Sequence, residues 1–177
     1  MSVNVKELCE KARNGDAGAF AELYAQYAQK LYATAFYLLG RKEDAEDIVM
    51  DTVADAFAQI RSLRSAEAFG GWIFRILMNK LKRKRKEYAN ALEDELQDVL
   101  PAQTGEPNAE HAALRQALAE LPQQDREIIL LGVLGGYESA EIAKILGLNA
   151  NTVRSRRMRA FAKLREKLSE GERALAK

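Results

Sequence analysis

One cysteine, one histidine and three prolines are all that the 177 residues hold of those types, and each scarcity closes a route. Cys9 on its own forms no intrachain disulfide and gives no sign of an oxidising compartment. With His111 equally alone, no His/Cys metal cluster can be assembled. A glycine-rich phosphate loop is also missing, so an enzyme is the reading that composition supports least. No apolar run reaches bilayer length, and no basic segment followed by an apolar one opens the chain as in a signal peptide. The expectation is a soluble, cytoplasmic protein with no cofactor, no metal, no small-molecule substrate and no membrane insertion. The prolines all follow residue 100, and Ala, Leu, Glu, Lys and Arg are abundant, so little interrupts helix formation.

Net charge is nearly absent too. The formal charge is +1, too small for bulk attraction to nucleic acid or to an acidic membrane. That balance conceals segregation. Residues 43–55 hold six acids (Glu43, Asp44, Glu46, Asp47, Asp51, Asp55) and no base, whereas Arg75 to Lys86 holds seven bases and no acid. From Glu138 to Leu168, eight Lys or Arg stand against three Glu. Such alternation implies separate surfaces for separate partners.

What is present instead is helical periodicity, without strand pattern, repeat or low-complexity tract. Val5 to Arg13 reads as a short helix ended by Asn14-Gly15, and Asp16 can cap a second that runs to Gly40. Its tyrosines follow core spacing, so packing explains them better than a stacking platform. A third helix, about Glu43 to Ile60, is expected to bury Ala45, Ile48, Val49, Val53, Ala56, Phe57 and Ile60. Asp47, Met50 and Asp51 fall on its outer face. Arg61 to Gly71 reads as a loop, and a fourth helix starts at Trp72, apolar first and densely basic over Lys80 to Lys86. That pattern suits a helix dipole, which favours cations at its end, and it also suits phosphate contact. Residues 90–107 lose the stripe and collect acids, Pro101, Gly105 and Pro107 as a flexible acidic linker. Helices resume from about Asn108, with Pro122 at a first helical position. The fold class expected is all-α, two small helical domains at 1–89 and 108–177 joined by the linker 90–107.

Residues 137–168 carry the most specific pattern. A short helix, about Ser139 to Leu146, places Ile142, Ala143 and Leu146 on one face. Gly147 breaks it, and Asn149 or Asn151 can cap a longer helix whose stripe is Val153, Ala160, Leu164 and Leu168. Two helices joined by a tight glycine turn form a helix-turn-helix, whose second helix fits the DNA major groove. Arg154, Arg156, Arg157 and Arg159 cluster near its start, where arginine can bind guanine O6 and N7 or hold phosphates.

Set in order, Asp44-Ala45-Glu46-Asp47-Ile48-Val49, Trp72-Ile73-Phe74-Arg75-Ile76-Leu77-Met78-Asn79, Leu121-Pro122 with Arg126-Glu127-Ile128-Ile129, Glu141-Ile142-Ala143 and Thr152-Val153-Arg154-Ser155-Arg156 resemble bacterial extracytoplasmic-function sigma factors. Each motif alone is modest; their shared order over about residues 5–170 is specific. The resemblance implies an alternative sigma factor with regions 2 and 4. It would bind core RNA polymerase through the β′ clamp and the β flap, engage promoter DNA, and answer to an anti-sigma factor. By the same resemblance, Asp47, Met50 and Asp51 would bind the β′ clamp. Ser65, Ala66, Glu67, Asn79, Lys80 and Arg83 would engage the −10 element, and Asn151, Thr152, Arg154, Ser155, Arg156 and Arg159 the −35 element.

Some residues depart from the family pattern. Met50 stands where glutamine is frequent, Arg83 where aspartate is, and Arg157 at a usually aliphatic place inside the stripe, where its stem can cover the core. Glu138 replaces a serine cap, which passes the capping role to Ser139. A dimeric regulator would account for residues 137–168, but not for the acidic helix with Met50 or the basic Lys80 to Lys86. An anti-sigma or adaptor protein would have no use for Arg154 to Arg159.

Overall fold

Helix-favouring composition is realised throughout: among the described residues every regular element is helical. The computed structural model describes residues 5–94 and 109–175, with side chains over 5–90 and 112–169. The chain divides into two compact units, Met1–Leu100 and Pro101–Lys177. Most of the acidic stretch expected as a linker lies outside the described residues.

In the first unit, α1 (Val5–Arg13), α2 (Ala17–Leu39), α3 (Lys42–Gln59) and α4 (Phe69–Asp94) pack around one apolar core. Asp16 caps α2 as expected, its Oδ1 accepting the Ala19 N–H at 3.0 Å, which satisfies one of the helix's free donors. The core is built from Leu8 and Cys9 of α1, Phe20, Leu23 and Leu31 of α2, Ala45, Ile48 and Val49 of α3, and Ile73, Phe74, Leu77 and Leu81 of α4. Two hydroxyls are buried among them. Thr34 and Thr52 donate to the carbonyls of Lys30 and Ile48, at 2.8 and 2.7 Å, so neither carries an unpaid desolvation cost. Burial pushes the Tyr24 and Tyr27 phenols up, in keeping with packing rather than base stacking.

Three expectations are corrected here. The fourth helix starts at Phe69, not Trp72. Phe69 is fully buried and meets Phe20, Tyr27 and Trp72 at ring distances of 6.4, 5.4 and 5.9 Å, so it nucleates the turn that periodicity alone assigned to a loop. The stretch before it holds two 3-10 turns, Ile60–Ser62 and Ala66–Ala68, pinned by buried Leu63. Phe57 is 44% exposed, because it rests edge-on against Phe20 at the rim (5.0 Å) instead of entering the core. At its far end α4 continues to Asp94, into the stretch expected as linker.

The second unit contains α5 (Ala109–Ala119), α6 (Gln123–Val133), α7 (Ser139–Leu146) and α8 (Ala150–Leu175). Pro122 is the N-cap of α6, one residue before the expected place, and its carbonyl accepts from Asp125 and Arg126 at 2.9 and 3.0 Å. Leu118, Ile128, Leu131, Ile142 and Val153 are fully buried and close this smaller core.

The Asp16 cap gives a direct test. The only tryptophan, Trp72, lies in the first unit, so its fluorescence follows that unit alone. In urea titrations Asp16→Ala should lose about 1 kcal/mol of stability and Asp16→Ser far less. Equal losses for both would remove the cap from the account of α2.

Candidate nucleic-acid interface and its acidic counterpart

The basic run of α4 winds as a helix, so its cations cannot all face one way. Lys80 points inward: it is 8% exposed and its Nζ lies 2.7 Å from Asp55 Oδ2 of α3. Lys84 also turns toward α3, 3.6 Å from Asp44 Oδ1, with its ammonium over the Tyr88 ring at 5.4 Å. Burial, reinforced by the Asp44 carboxylate, pushes the Tyr88 phenol well up. Arg75, Asn79, Lys82, Arg83 and Lys86 stay exposed. Positions 75, 79, 82 and 86 recur four, three and four apart, so they form one stripe along the helix. Of the residues expected to face DNA in this helix, Asn79 and Arg83 are therefore accessible. Lys80 is not: it is buried and its charge is engaged with the half-exposed Asp55 carboxylate. Sequence reasoning missed Arg75, Lys82 and Lys86 as members of the outward stripe, although their spacing could have revealed them.

Asp47, Met50 and Asp51 are exposed on α3, Met50 at 73%. They line one wall of an open groove of about 460 Å³ floored by Ile48 and faced by Lys80, Arg83, Lys84 and Glu87 of α4. An apolar side chain between two carboxylates, facing a cation, can take an amphipathic element with both charge and apolar character. Ser65, Ala66 and Glu67 lie elsewhere, in the turns before α4. Ser65 Oγ donates to the Glu67 carboxylate, which holds that carboxyl below its usual range. The turns lean on α1, and their end at Phe69 is separated from Asn79 by about 15 Å of helix.

In the second unit the turn between α7 and α8 is as expected. Gly147 takes φ 68°, and the Leu148 N–H donates to the Ala143 carbonyl at 2.9 Å, a left-handed stop that glycine enters without steric cost. Of the two candidate caps it is Asn149 that serves, its Oδ1 accepting the Asn151 N–H at 2.9 Å. Glu138, not Ser139, is the N-cap of α7, and its backbone N–H donates to the Glu141 carboxylate at 2.8 Å. Reciprocal capping by Glu141 makes the missing serine unnecessary.

Val153, Ala160 and Leu164 hold the inner face of α8. Asn151, Thr152, Arg154, Ser155 and Arg159 are exposed. The remaining arginines are engaged. Arg156 Nη1 lies 2.8 Å from Asp125 Oδ1 of α6, so its head is tethered instead of free to search a groove. Arg157 covers the core with its stem and lays its guanidinium on Gly132, where an added Cβ would come within 3.3 Å. It ends 3.8 Å from the Glu138 carboxylate and 5.9 Å from the Phe161 ring. The departure at 157 is thus matched by a small residue on α6 that gives it room. Met158, on the same helix, is 72% exposed.

Two family models match the chain in the order of its two units: sigma-70 region 2 over residues 23–90 and sigma-70, region 4 over 111–164. The sequence is similar to the ECF RNA polymerase sigma factor SigM of Mycobacterium tuberculosis, 33% identical over 85% of this chain and 77% of SigM. It is 30% identical to the ECF sigma factor BldN of Streptomyces coelicolor, over 97% of this chain and 69% of BldN. Among solved structures, CnrH in complex with the cytosolic domain of CnrY superposes with a TM-score of 0.75 at 28% identity, covering 94% of this chain and 99% of CnrH. The sigma factor RpoE of Bartonella quintana, in complex with the anti-sigma factor NepR, gives 0.69 at 27% identity, over 84% and 97%.

The Lys80–Asp55 pair predicts an asymmetry. Asp55→Ala strands a buried ammonium and should cost about 1–2 kcal/mol, less than a fully buried pair because Asp55 is 45% exposed. Lys80→Met fills the same space without a charge and should cost under about 1 kcal/mol. Trp72 fluorescence in urea measures both, and the reverse order would show that the pair does not hold α4.

Proposed function

The chain belongs to the extracytoplasmic-function sigma factors of bacterial RNA polymerase, and from that membership we propose how its surfaces divide the work of initiation. As a sigma factor it binds core polymerase, directs it to promoters with −10 and −35 elements and helps to open the DNA. The observation that carries the division of labour is the sorting of side chains: acids with Met50 on α3, cations outward on α4, and exposed arginines outward on α8.

In this reading residues 1–89 bind core polymerase and the −10 element, and residues 108–177 bind the −35 element. Asp47, Met50 and Asp51 meet the β′ clamp, the carboxylates matching basic residues of the clamp at contact and Met50 filling an adaptable contact. Ser65, Ala66 and Glu67 meet unpaired −10 bases, while Asn79 and Arg83, joined by Arg75, Lys82 and Lys86, follow the backbone. Lys80 acts behind them by fixing the rotation of α4. On α8, Asn151, Thr152, Arg154, Ser155 and Arg159 face the −35 duplex, and Arg156 orients the helix from its tether on Asp125. The β flap takes the second unit. The likeness to RpoE, solved with an anti-sigma factor, supports an anti-sigma protein as regulator. No described helix is long and apolar enough to cross a membrane, and the cytoplasm, where polymerase works, is the compartment assigned.

Two measurements bear on this. Asp47→Arg with Asp51→Arg should leave circular dichroism unchanged, since both sites are exposed, and should cut co-purification with core polymerase at least about tenfold, the equivalent of ~1.4 kcal/mol. A folded double variant that binds core at full strength would remove the clamp assignment. On DNA, Arg154→Ala or Arg159→Ala should each cost about 1–3 kcal/mol at the preferred −35 site and little elsewhere. Losses equal on all sequences would demote both to phosphate contacts.

A further inference from the structure

Met158 sits where a base reader belongs. With about 100° per residue, and Val153 taken as the inward direction, Asn151, Ser155, Met158 and Ala162 fall at about 160°, 200°, 140° and 180°. All four are exposed, whereas Val153 and Ala160 on the opposite face are 0% and 2% exposed. The outward centre of α8 is thus formed by a short polar residue (Ser155), a methyl (Ala162) and one long apolar side chain. Arg154 and Arg159 flank that centre, and the Arg159 Nε lies 3.4 Å from the Ser155 carbonyl. Arg156 and Arg157 are turned away onto Asp125 and Glu138. At 72% exposure Met158 stands clear of the core.

A lone exposed apolar residue is ordinary on a protein surface; its position is what matters here. A methionine between two arginines, on the face directed at a major groove, meets base edges and not phosphates. Those edges offer one apolar group, the 5-methyl of thymine, which is also the feature that distinguishes thymine from every other base in that groove. The thioether chain is unbranched and polarizable, and it can reach a methyl without the fixed geometry that a hydrogen bond demands. We propose that Met158 is a specificity-determining residue that reads a thymine 5-methyl group in the −35 element. This rests on α8 being the recognition helix and names one of the features that it reads.

Replacing thymine by deoxyuridine removes that methyl and leaves base pairing intact. The full chain, assembled on core polymerase, is used to select an upstream element from random duplex DNA, and each thymine on either strand is then replaced singly by deoxyuridine. At one position the replacement should weaken binding about fourfold, the factor for burying one methyl-sized group. Met158→Ala should bind the thymine duplex about as weakly as the wild type binds the uridine duplex, and should show no further loss on uridine. Met158→Leu should retain part of the discrimination. The proposal is overturned if uridine is tolerated at every position, if Met158→Ala keeps the full penalty, if the element holds no A·T pair, or if Met158→Ala lowers polymerase assembly in place of thymine discrimination. Arg154→Ala with Arg159→Ala separates the two levels. If that variant loses selection while uridine is tolerated, α8 remains the reader and only Met158 falls; if it selects normally, the recognition helix and this proposal fall together.

Discussion

The 2.7 Å contact between Lys80 and Asp55 fixes the rotation of α4 about its own axis, and the functional surface of the first unit follows from that angle. Seven bases lie between Arg75 and Lys86, and a helix must distribute them around its circumference. Once Lys80 is locked onto α3, and Lys84 drawn toward Asp44 at 3.6 Å, positions 75, 79, 82 and 86 have only the outside left to occupy. The second unit repeats the device with different residues. Arg156 on Asp125 and Arg157 against Gly132 and Glu138 turn α8 so that Arg154, Ser155 and Arg159 face away from the core. In both units some cations of a basic helix are committed to a neighbouring helix, and the commitment aims the rest.

Such pairs orient more than they stabilise. Partly exposed ion pairs contribute little net free energy, because desolvation and side-chain ordering offset the attraction. The stability of each unit comes from apolar burial: Phe69 and Phe74 with Leu23, Leu31 and Ile73 in one, Ile128, Leu131, Ile142 and Val153 in the other. An apolar stripe, however, tolerates small rotations of a helix against its neighbours. A charge that must find its partner does not, since the wrong rotation would leave Lys80 buried and unpaired. The pair therefore acts by penalising misorientation.

Periodicity made most of the fold legible. Helix ends with a chemical signal, Asp16, Gly40 and Gly147, fall where their side chains or backbone freedom require, and Val153, Ala160 and Leu164 are buried as their spacing implies, with Leu168 left half-buried. What stayed hidden had tertiary causes. Phe69 lies beyond two glycines from the apolar run it joins, and only its contacts with Phe20 and Tyr27 show that it starts a helix. Phe57 has the right spacing for the core, yet the α3–α4 packing leaves it at the rim. Lys80 reads as one more cation in a run, because sequence does not say which carboxylate waits on the neighbouring helix. Arg157 looked like a defect in an aliphatic stripe, and its complement at Gly132 lies 25 residues away along the chain. Charge runs reveal composition; pairing decides direction.

The near-zero formal charge gains meaning from the same sorting. Across the groove between α3 and α4, Asp47 and Asp51 stand opposite Arg83 and Lys84. Opposite charges on two walls of one groove cancel beyond a few ångströms, and at physiological salt screening removes what remains past about 8 Å. A molecule approaching from solution meets little field until it reaches contact distance. There the walls differ sharply: carboxylates around an exposed methionine on one side, three cations and the Glu87 carboxylate on the other. Discrimination therefore depends on docking geometry and not on long-range attraction. A uniformly basic chain of this size would hold any polyanion it met, whereas this charge pattern concentrates favourable free energy on partners that match both walls.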